Sequence, residues 1–296
     1  MIALTETADR QLLWSKTAGA LKSNVDLARW STFFLSILGA LLATIAGQLD
    51  QSQPRYYVAF AGAVVLAIMT LLSSRLLSGT QVTNWIRARA ASEALKREVY
   101  KYVARAAPYN DPTKRDAVLN DERDRIERDV DDLAGLQVST TEPSALPCED
   151  LTRDEYLKRR VREQVSYYCD RANASQHAAK IMRWSELMLA LAATVITAAA
   201  GLGIASREVF GFKFDLVAIT AVLTTIAGAV LAHIEASRYD FLVTTYRATA
   251  RRLQGELARD DDPNGMSTEN WSALVQRCES ILSEENTSWA AKWTKP

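Results

Sequence analysis

The sequence predicts an all-α fold: an integral membrane protein with four transmembrane helices in two tandem helical hairpins, and long cytoplasmic helices forming a bundle. Three observations carry this reading. Four stretches of about 19 or 20 residues, 30–49, 56–74, 187–206 and 216–234, contain no Asp, Glu, Lys or Arg, and at ~1.5 Å rise per residue each matches the ~30 Å hydrocarbon core. The stretches come in two tight pairs. The charges are crowded into the segments between them, where apolar residues recur at helical spacing. A mean hydropathy of -0.09 therefore averages two different populations of residues. The alternative, two buried hairpins inside a large soluble protein, is disfavoured by four spanning-length runs occurring in pairs.

The opening segment, Met1 to Arg29, mixes acids and bases and has no apolar core near its start, so no cleavable signal is expected. Trp14, Ala18, Leu21, Val25 and Ala28 form a helical stripe leading into the first span. Only "DQSQPR" (50–55) separates the first two spans, and "REVFGFKFD" (207–215) the last two, so each pair is an antiparallel hairpin. Lys16, Lys22 and Arg29 precede the first span, and Arg75, Arg87, Arg89, Lys96 and Arg97 follow the second, against Arg55 alone in the loop. The positive-inside rule puts both termini and the middle segment in the cytoplasm. Lys180, Arg183 and Arg238 against Arg207 and Lys213 give the second pair the same but weaker bias.

"RWS" occurs at 29–31 and again at 183–185, a displacement of 154. That displacement sets Trp14, Ala18, Leu21, Val25 and Ala28 on Tyr168, Ala172, Ser175, Ala179 and Met182, and Ala46-Gly47 on Ala200-Gly201. Beyond the longer second loop it becomes 158, setting Arg89 on Arg247, Leu95 on Leu253 and Glu98 on Glu256. The stripe Trp85, Ala88, Ser92, Leu95, Val99 then matches Val243, Tyr246, Ala250, Leu253, Leu257. The unit, present twice, is a cytoplasmic helix, a membrane hairpin and a second cytoplasmic helix. Arg29, Trp30, Arg183 and Trp184 mark the cytoplasmic membrane boundary in each copy, as interface anchors.

A third helix closes each unit. In the first, Pro112 fits the N1 position after Asp111, and Leu119, Ile126, Val130 and Leu133 supply an apolar stripe. Its other faces, "DERDRIERDVDD", are solvated or form a charged docking surface. In the second, Ser267 is the candidate N-cap, Trp271, Leu274, Cys278 and Ile281 share a face, and Trp289 and Trp293 extend it. The domains expected are thus 1–138 for the first unit, 139–151 for a Ser/Thr/Pro-rich linker and 152–296 for the second, which Thr152 and Glu155 open with a capping box.

Chemistry is sparse. Lys and Arg total 35, as do Asp and Glu, so no global field calls for nucleic acid as a partner. Cys148, Cys169 and Cys278 match no metal spacing and read as free thiols of a reducing compartment. His177 and His233 are the only histidines, and no Gly-rich phosphate loop or nucleophile elbow occurs. The expectation is no enzyme, no metal and no cofactor. With no charge inside the spans, a proton relay or coupled ion site has no residues to build it.

The spans instead carry small and hydroxylated residues. Gly39, Ala43 and Gly47, and Thr224, Gly228 and Ala232, follow a small-xxx-small pattern that lets helices approach closely. Ser36, Thr44 and Gln48 on the first span, Thr194 and Thr197 on the third, and Thr220 and Thr224 on the fourth are candidates to line a pore, with Arg75 and His233 near its cytoplasmic mouth. The alternative is that the hydroxyls bond their own backbone and line nothing. Four spans enclose little, so a pore requires a homo-oligomer.

The order long helix, tight membrane hairpin, long helix, together with the closing "ILSEENTSWAAKW" (281–293), resembles the SLATT family. These are two-membrane-helix effector domains associated with SMODS nucleotidyltransferases and SLOG receptors in bacterial conflict systems. The resemblance covers nearly all of 4–293 as two tandem copies, although the first lacks the closing Trp. It implies a bacterial inner-membrane effector that forms a pore or perturbs the membrane on a signal from a cytoplasmic sensor protein or a nucleotide, with membrane lipid as its other partner. A non-conducting scaffold and a small housekeeping ion channel are the competing functions.

Overall fold

A computed structural model of the chain describes residues 2–49, 53–76, 79–202, 206–209, 212–259 and 268–294. Ser267, and the side chains of Trp289 and Trp293, lie outside the described residues. Helix α1 (Ile2–Gln48) runs 47 residues without interruption, ~70 Å at helical rise. It contains no proline, and only three glycines interrupt a sequence of good helix formers. The first hairpin is completed by α2 (Gln53–Leu76), whose Pro54 sits in the first turn, where a missing N–H costs nothing. Helices α3 (Gly79–Val103) and α4 (Arg115–Arg128) follow.

Helix α5 (Arg153–Tyr156) passes through a π-helical turn, Leu157–Arg162, into α6 (Glu163–Gly201). Strands β1 (Ser206–Val209) and β2 (Phe212–Asp215) pair antiparallel. Helices α7 (Leu216–Ser237), α8 (Tyr239–Arg259) and α9 (Thr268–Thr294) complete the fold. Among the described residues, four helical stretches are long and apolar enough to cross a membrane, beginning at Ile2, Gln53, Arg153 and Leu216.

The chain divides into two compact units that interleave in sequence. One, here the charged unit, holds 1–24, 79–173 and 243–296; the other, the apolar unit, holds 25–78 and 174–242. The core of the charged unit contains the expected stripes. Trp14, Ala18 and Leu21 are buried, as are Trp85, Ala88, Ser92, Leu95 and Val99, and Tyr168, Ala172, Tyr246, Ala250 and Leu253. The capping box forms as expected: Thr152 accepts from the Glu155 N–H while the Glu155 carboxylate receives the Thr152 N–H.

Two boundaries differ from the sequence expectation. The third span was placed at 187–206, but its helix ends at Gly201 and Ser206 already belongs to β1. Beyond it 206–209 and 212–215 pair as two four-residue strands, in a stretch with three Phe and one Val, residues that favour extended backbone; the other regular elements described are helical, as expected. The helix expected from Pro112 begins instead at Arg115, because Asp111 closes a local turn by accepting from the Thr113 N–H (2.9 Å) and hydroxyl (2.7 Å). Leu119, Ile126, Val130 and Leu133 are all buried, the last in a 3₁₀ turn (Asp131–Leu136) after α4.

The segment 139–151 has no regular structure but is tethered. Val138 donates to the Thr17 hydroxyl (3.0 Å), Lys16 pairs with Glu142 (2.8 Å), Asp150 receives Arg105 and Arg115, and Leu151 donates to the Val103 carbonyl (2.8 Å).

The charged unit also contains an ion pair in its core. In the π turn Arg160 points inward and grips Glu279 of α9 with two hydrogen bonds, Nε to Oε1 (2.9 Å) and Nη2 to Oε2 (2.8 Å). The side chains are 3% and 2% exposed. Tyr156 donates its hydroxyl to the same carboxylate (3.0 Å), and the guanidinium stacks over Tyr100 at 4.6 Å. A buried charge pair contributes little over an apolar pair, yet breaking it strands one charge. Glu279→Ala is expected to cost about 3–5 kcal/mol in chemical unfolding of the detergent-solubilised chain. The double replacement Arg160→Met with Glu279→Leu should recover most of that loss, and a double variant as unstable as the single would contradict this account.

Candidate functional site

The apolar unit shows its hydrophobic side chains to the outside. Phe34, Leu38, Leu41 and Ile45 on α1, Phe60, Val64 and Ile68 on α2, and Leu187, Met188, Leu191 and Val195 on α6 are exposed large hydrophobics, a surface suited to lipid rather than water. Trp30 and Trp184 are also exposed, at 40% and 53%, beside Arg29 and Arg183 in the register expected of interface anchors. Arg183 pairs with Asp240 at the start of α8, and Arg29 approaches Asp26 at 3.9 Å.

The small residues have divided tasks. A Cβ built on Gly39 would lie 2.6 Å from a Leu66 methyl carbon, and one on Gly62 would meet the Leu42 Cβ at 3.3 Å. Both glycines therefore serve the close approach of α1 and α2 within one hairpin. Gly47 and Gly228 have open space where a Cβ would go.

Of the candidate pore-lining residues, most hydroxyls bond their own helix. Ser36 donates to Phe33 O (2.8 Å), Thr194 to Ala190 O (2.9 Å), Thr197 to Ala193 O (2.8 Å), Thr220 to Leu216 O (3.0 Å) and Thr224 to Thr220 O (2.9 Å). The fold brings Thr197 of α6 within 3.5 Å of Thr220 of α7, and places the Gln48 side-chain carbonyl 3.2 Å from the Asp215 N–H. Thr44 is half-buried on α1, and Arg75 is exposed in the last turn of α2.

His233, expected near a pore mouth, lies in an aromatic enclosure. It is 8% exposed, with the Trp30 ring at 4.6 Å, the Phe33 ring at 5.1 Å and the Ser237 hydroxyl 3.4 Å from Nε2. The cluster ties the first span to the fourth. Trp30 and His233 are 203 positions apart in the chain, so no local sequence pattern announces their contact.

Buried carboxylates of the charged unit form a second set of candidate groups. Glu98 receives Arg97 (2.9 Å), Lys101 (2.8 Å) and the Tyr109 hydroxyl (2.7 Å). Burial alone would raise its pKa, but Lys101, Tyr109 and Arg97 together hold it below the ordinary carboxylate value. Glu256 receives Arg259 (2.9 Å) and Arg277 (2.7 Å). Glu285 differs: its Oε2 receives only the Tyr168 hydroxyl, at 3.3 Å, and its Oε1 has no hydrogen-bond partner among the described residues. Burial pushes its pKa up, and Arg89 and the Tyr168 hydroxyl only partly oppose this. The signal for these acids was present in the sequence, since Glu279 and Glu285 sit beside the apolar stripe Leu274, Cys278, Ile281 of α9, where a solvated charge does not belong.

Two stretches of the chain match known families. Residues 156–289 match the SLATT family described as SMODS and SLOG-associating 2TM effector domain 1. Residues 10–117 match a family described as Protein of unknown function (DUF4231). No curated protein and no solved structure matches the chain.

Two outcomes follow from the packing and charges of these groups. Gly39→Leu should lower the thermal midpoint in detergent by an overpacking cost of about 1–3 kcal/mol, while Gly228→Leu, with open space around it, should leave the midpoint nearly unchanged. Equal effects would show that Gly39 is not a hairpin contact. For Glu285 the folded pKa lies above the unfolded value of ~4.3, so the folded state holds the proton more tightly. Stability is then lost as pH rises from the unfolded pKa through the folded one, and the whole cost is present above it. Glu285→Gln should thus be more stable than the parent at pH 8, by a margin that shrinks towards pH 4. A variant less stable at pH 8 contradicts the assignment.

Proposed function

We propose that the chain is a membrane effector of the SLATT kind, made of two tandem two-helix units, that permeabilises a bacterial inner membrane as a homo-oligomer. The observation that carries the reading is the match of 156–289 to a two-transmembrane effector domain, which falls on two stretches long and apolar enough to span. The tandem arrangement is supported by paired contacts. Trp14 donates to Glu127 (3.2 Å) and Tyr168 to Glu285 (3.3 Å), where the aromatics differ by 154 and the acids by 158. Likewise Glu98 pairs with Lys101 and Glu256 with Arg259, again 158 apart. On this reading 10–117 is a diverged copy of the unit at 156–289.

In the working state both termini and the charged unit are cytoplasmic, and the charged unit receives the trigger, a sensor protein or a nucleotide signal. Membrane lipid is the remaining partner. Nucleic acid, metals, cofactors and catalysis have no role. The oligomer's conduit is lined by Ser36, Thr44, Gln48, Thr194, Thr197, Thr220 and Thr224. Ion translocation needs polar groups exposed along a path, and a hydroxyl that donates to its own backbone still offers its lone pairs to a cation. A second reading, a non-conducting scaffold, is favoured by the same self-bonded hydroxyls, which need no pore to satisfy them.

Expression in cells loaded with a potential-sensitive dye separates the two. The effector reading expects depolarisation and growth arrest when the chain is produced with its trigger, and Thr44→Leu with Thr224→Leu should reduce the depolarisation without lowering protein in the membrane. An unchanged potential with the trigger present would leave the scaffold as the better description.

A further inference from the structure

On α6, wholly within the apolar unit, His177, Lys180, Ile181, Trp184, Ser185 and Met188 border a groove of about 490 Å³. They recur every three or four residues, so they lie in one line along the helix. The line changes character along its length. It opens with an imidazole and an ammonium, passes through an indole and ends in a thioether. Leu187, Leu191 and Val195 then carry exposed apolar surface onward, for about 16 Å beyond Trp184 at helical rise.

The donors on this line are uncommitted. Among the described residues, the His177 ring, the Lys180 ammonium and the Trp184 indole N–H make no hydrogen bond or ion pair, and Trp184 is 53% exposed. The Ser185 hydroxyl is spent on Ile181 O (3.0 Å). No acid borders the groove among the described residues. Asp240 is held by Arg183, and Glu186, two positions from Trp184, stands about 200° round the helix. The face of α1 that lies 154 positions earlier is built otherwise. Asp26 stands there in place of Lys180 and approaches Arg29 at 3.9 Å, while Trp30 packs against the rings of Phe34 (5.7 Å) and His233 (4.6 Å).

We infer that this groove seats one anionic phospholipid, its phosphate on Lys180, His177 and the Trp184 indole and an acyl chain along Ile181, Met188 and Leu191. The inference rests on the membrane reading above and not on conduction, since a scaffold and a pore would present the same face. A bilayer lipid carries phosphate oxygens at headgroup depth with methylene groups directly below them. The groove presents the complement in the same order, cation and N–H donors first and apolar surface after. A free phosphate would leave the apolar part of the groove in water. A second copy meeting this face across a two-fold axis along the helix would bring its own Lys180 against the first. The α1 face, with Asp26 in the place of the ammonium, would repel the same headgroup, so each chain holds one such site.

The test uses the full chain in nonionic detergent near pH 7, with native mass spectrometry counting bound lipid. Dioleoyl-phosphatidylglycerol, dioleoyl-phosphatidylcholine and tail-free glycerol phosphate are titrated in turn. One phosphatidylglycerol is expected to bind first, phosphatidylcholine more weakly, and glycerol phosphate not at all. Lys180→Gln should weaken the phosphatidylglycerol site about tenfold, the factor for one hydrogen bond to a charged group, and Trp184→Ala should weaken it as well. Arg75→Gln, at an exposed base of α2, should leave it unchanged; helical circular dichroism confirms that each variant folds. Equal uptake of the two lipids, or equal losses in Lys180→Gln and Arg75→Gln, reduces the effect to diffuse attraction and overturns the site while the membrane reading stands. Saturable binding of glycerol phosphate overturns it in favour of a soluble anion. An oligomer that takes up no lipid and separates in Trp184→Ala gives the face to a second copy and overturns it too. A chain that needs no detergent and takes up neither lipid fails the membrane reading and the inference together.

Discussion

Exclusion of charge from four runs of about twenty residues governs the rest of the molecule. A hydrocarbon layer offers backbone polar groups nothing, so the runs must be helices that satisfy themselves, and it charges heavily for an ionised side chain. The consequence is felt elsewhere in the chain. Seventy charged residues, 35 of each sign, are displaced into the remaining sequence, and the unit built there cannot keep all of them in water. It folds with Glu98, Arg160, Glu256, Glu279 and Glu285 inside. Each must then be paired, hydrogen-bonded or neutralised, and the structure uses all three solutions.

Those solutions set the electrostatic character of the unit. Glu98 is surrounded by donors on three sides and stays ionised below the usual range, whereas Glu285 has one long hydrogen bond and is pushed towards its neutral form. The two acids oppose each other in pH dependence: acidification removes the contribution of the first and relieves the cost of the second. Arg160 and Glu279 take the third route, a bidentate pair completed by Tyr156 and covered by the Tyr100 ring. A single such pair adds little net stability, yet it leaves one acceptable arrangement of the π turn against α9. Any slip would strand two charges.

Much of this was legible in the sequence, and the boundary between what was and was not has a physical cause. The spans, the hairpins, the buried stripes at Trp14, Trp85 and Tyr168 and the Thr152 capping box follow from local periodicity and local hydrogen bonding, which a sequence displays directly. The π turn and the pairing of 206–209 with 212–215 lie outside what the sequence displays, the first because no local signal distinguishes i→i+5 from i→i+4 bonding. The second was hidden because four-residue strands carry too few positions to show alternation. The sequence offers Trp30 as an interface anchor because it stands beside Arg29 at the head of an apolar run, while its contact with His233 depends on packing between distant segments. Gly39 shows the same limit: its spacing announced close approach, but only packing against Leu66 revealed that the approach is within its own hairpin.

Under the proposed tandem arrangement, the two halves differ at contacts where they would otherwise be interchangeable. Gln11 donates to Ser92 at 3.0 Å in the first half, and the corresponding positions, Val165 and Ala250, are apolar. The ion pairs between helices differ as well. Helix α1 meets α4 through part-exposed pairs of both polarities, Glu6 with Arg123 (2.7 Å) and Arg10 with Glu127, whereas Arg160 meets Glu279 with both side chains almost wholly inaccessible. A part-exposed pair can exchange its partner for water at little cost, but separating the buried one strands a charge in the core. The Arg160–Glu279 pair therefore ties α9 to the π turn more strictly than the apolar stripes of the two helices do.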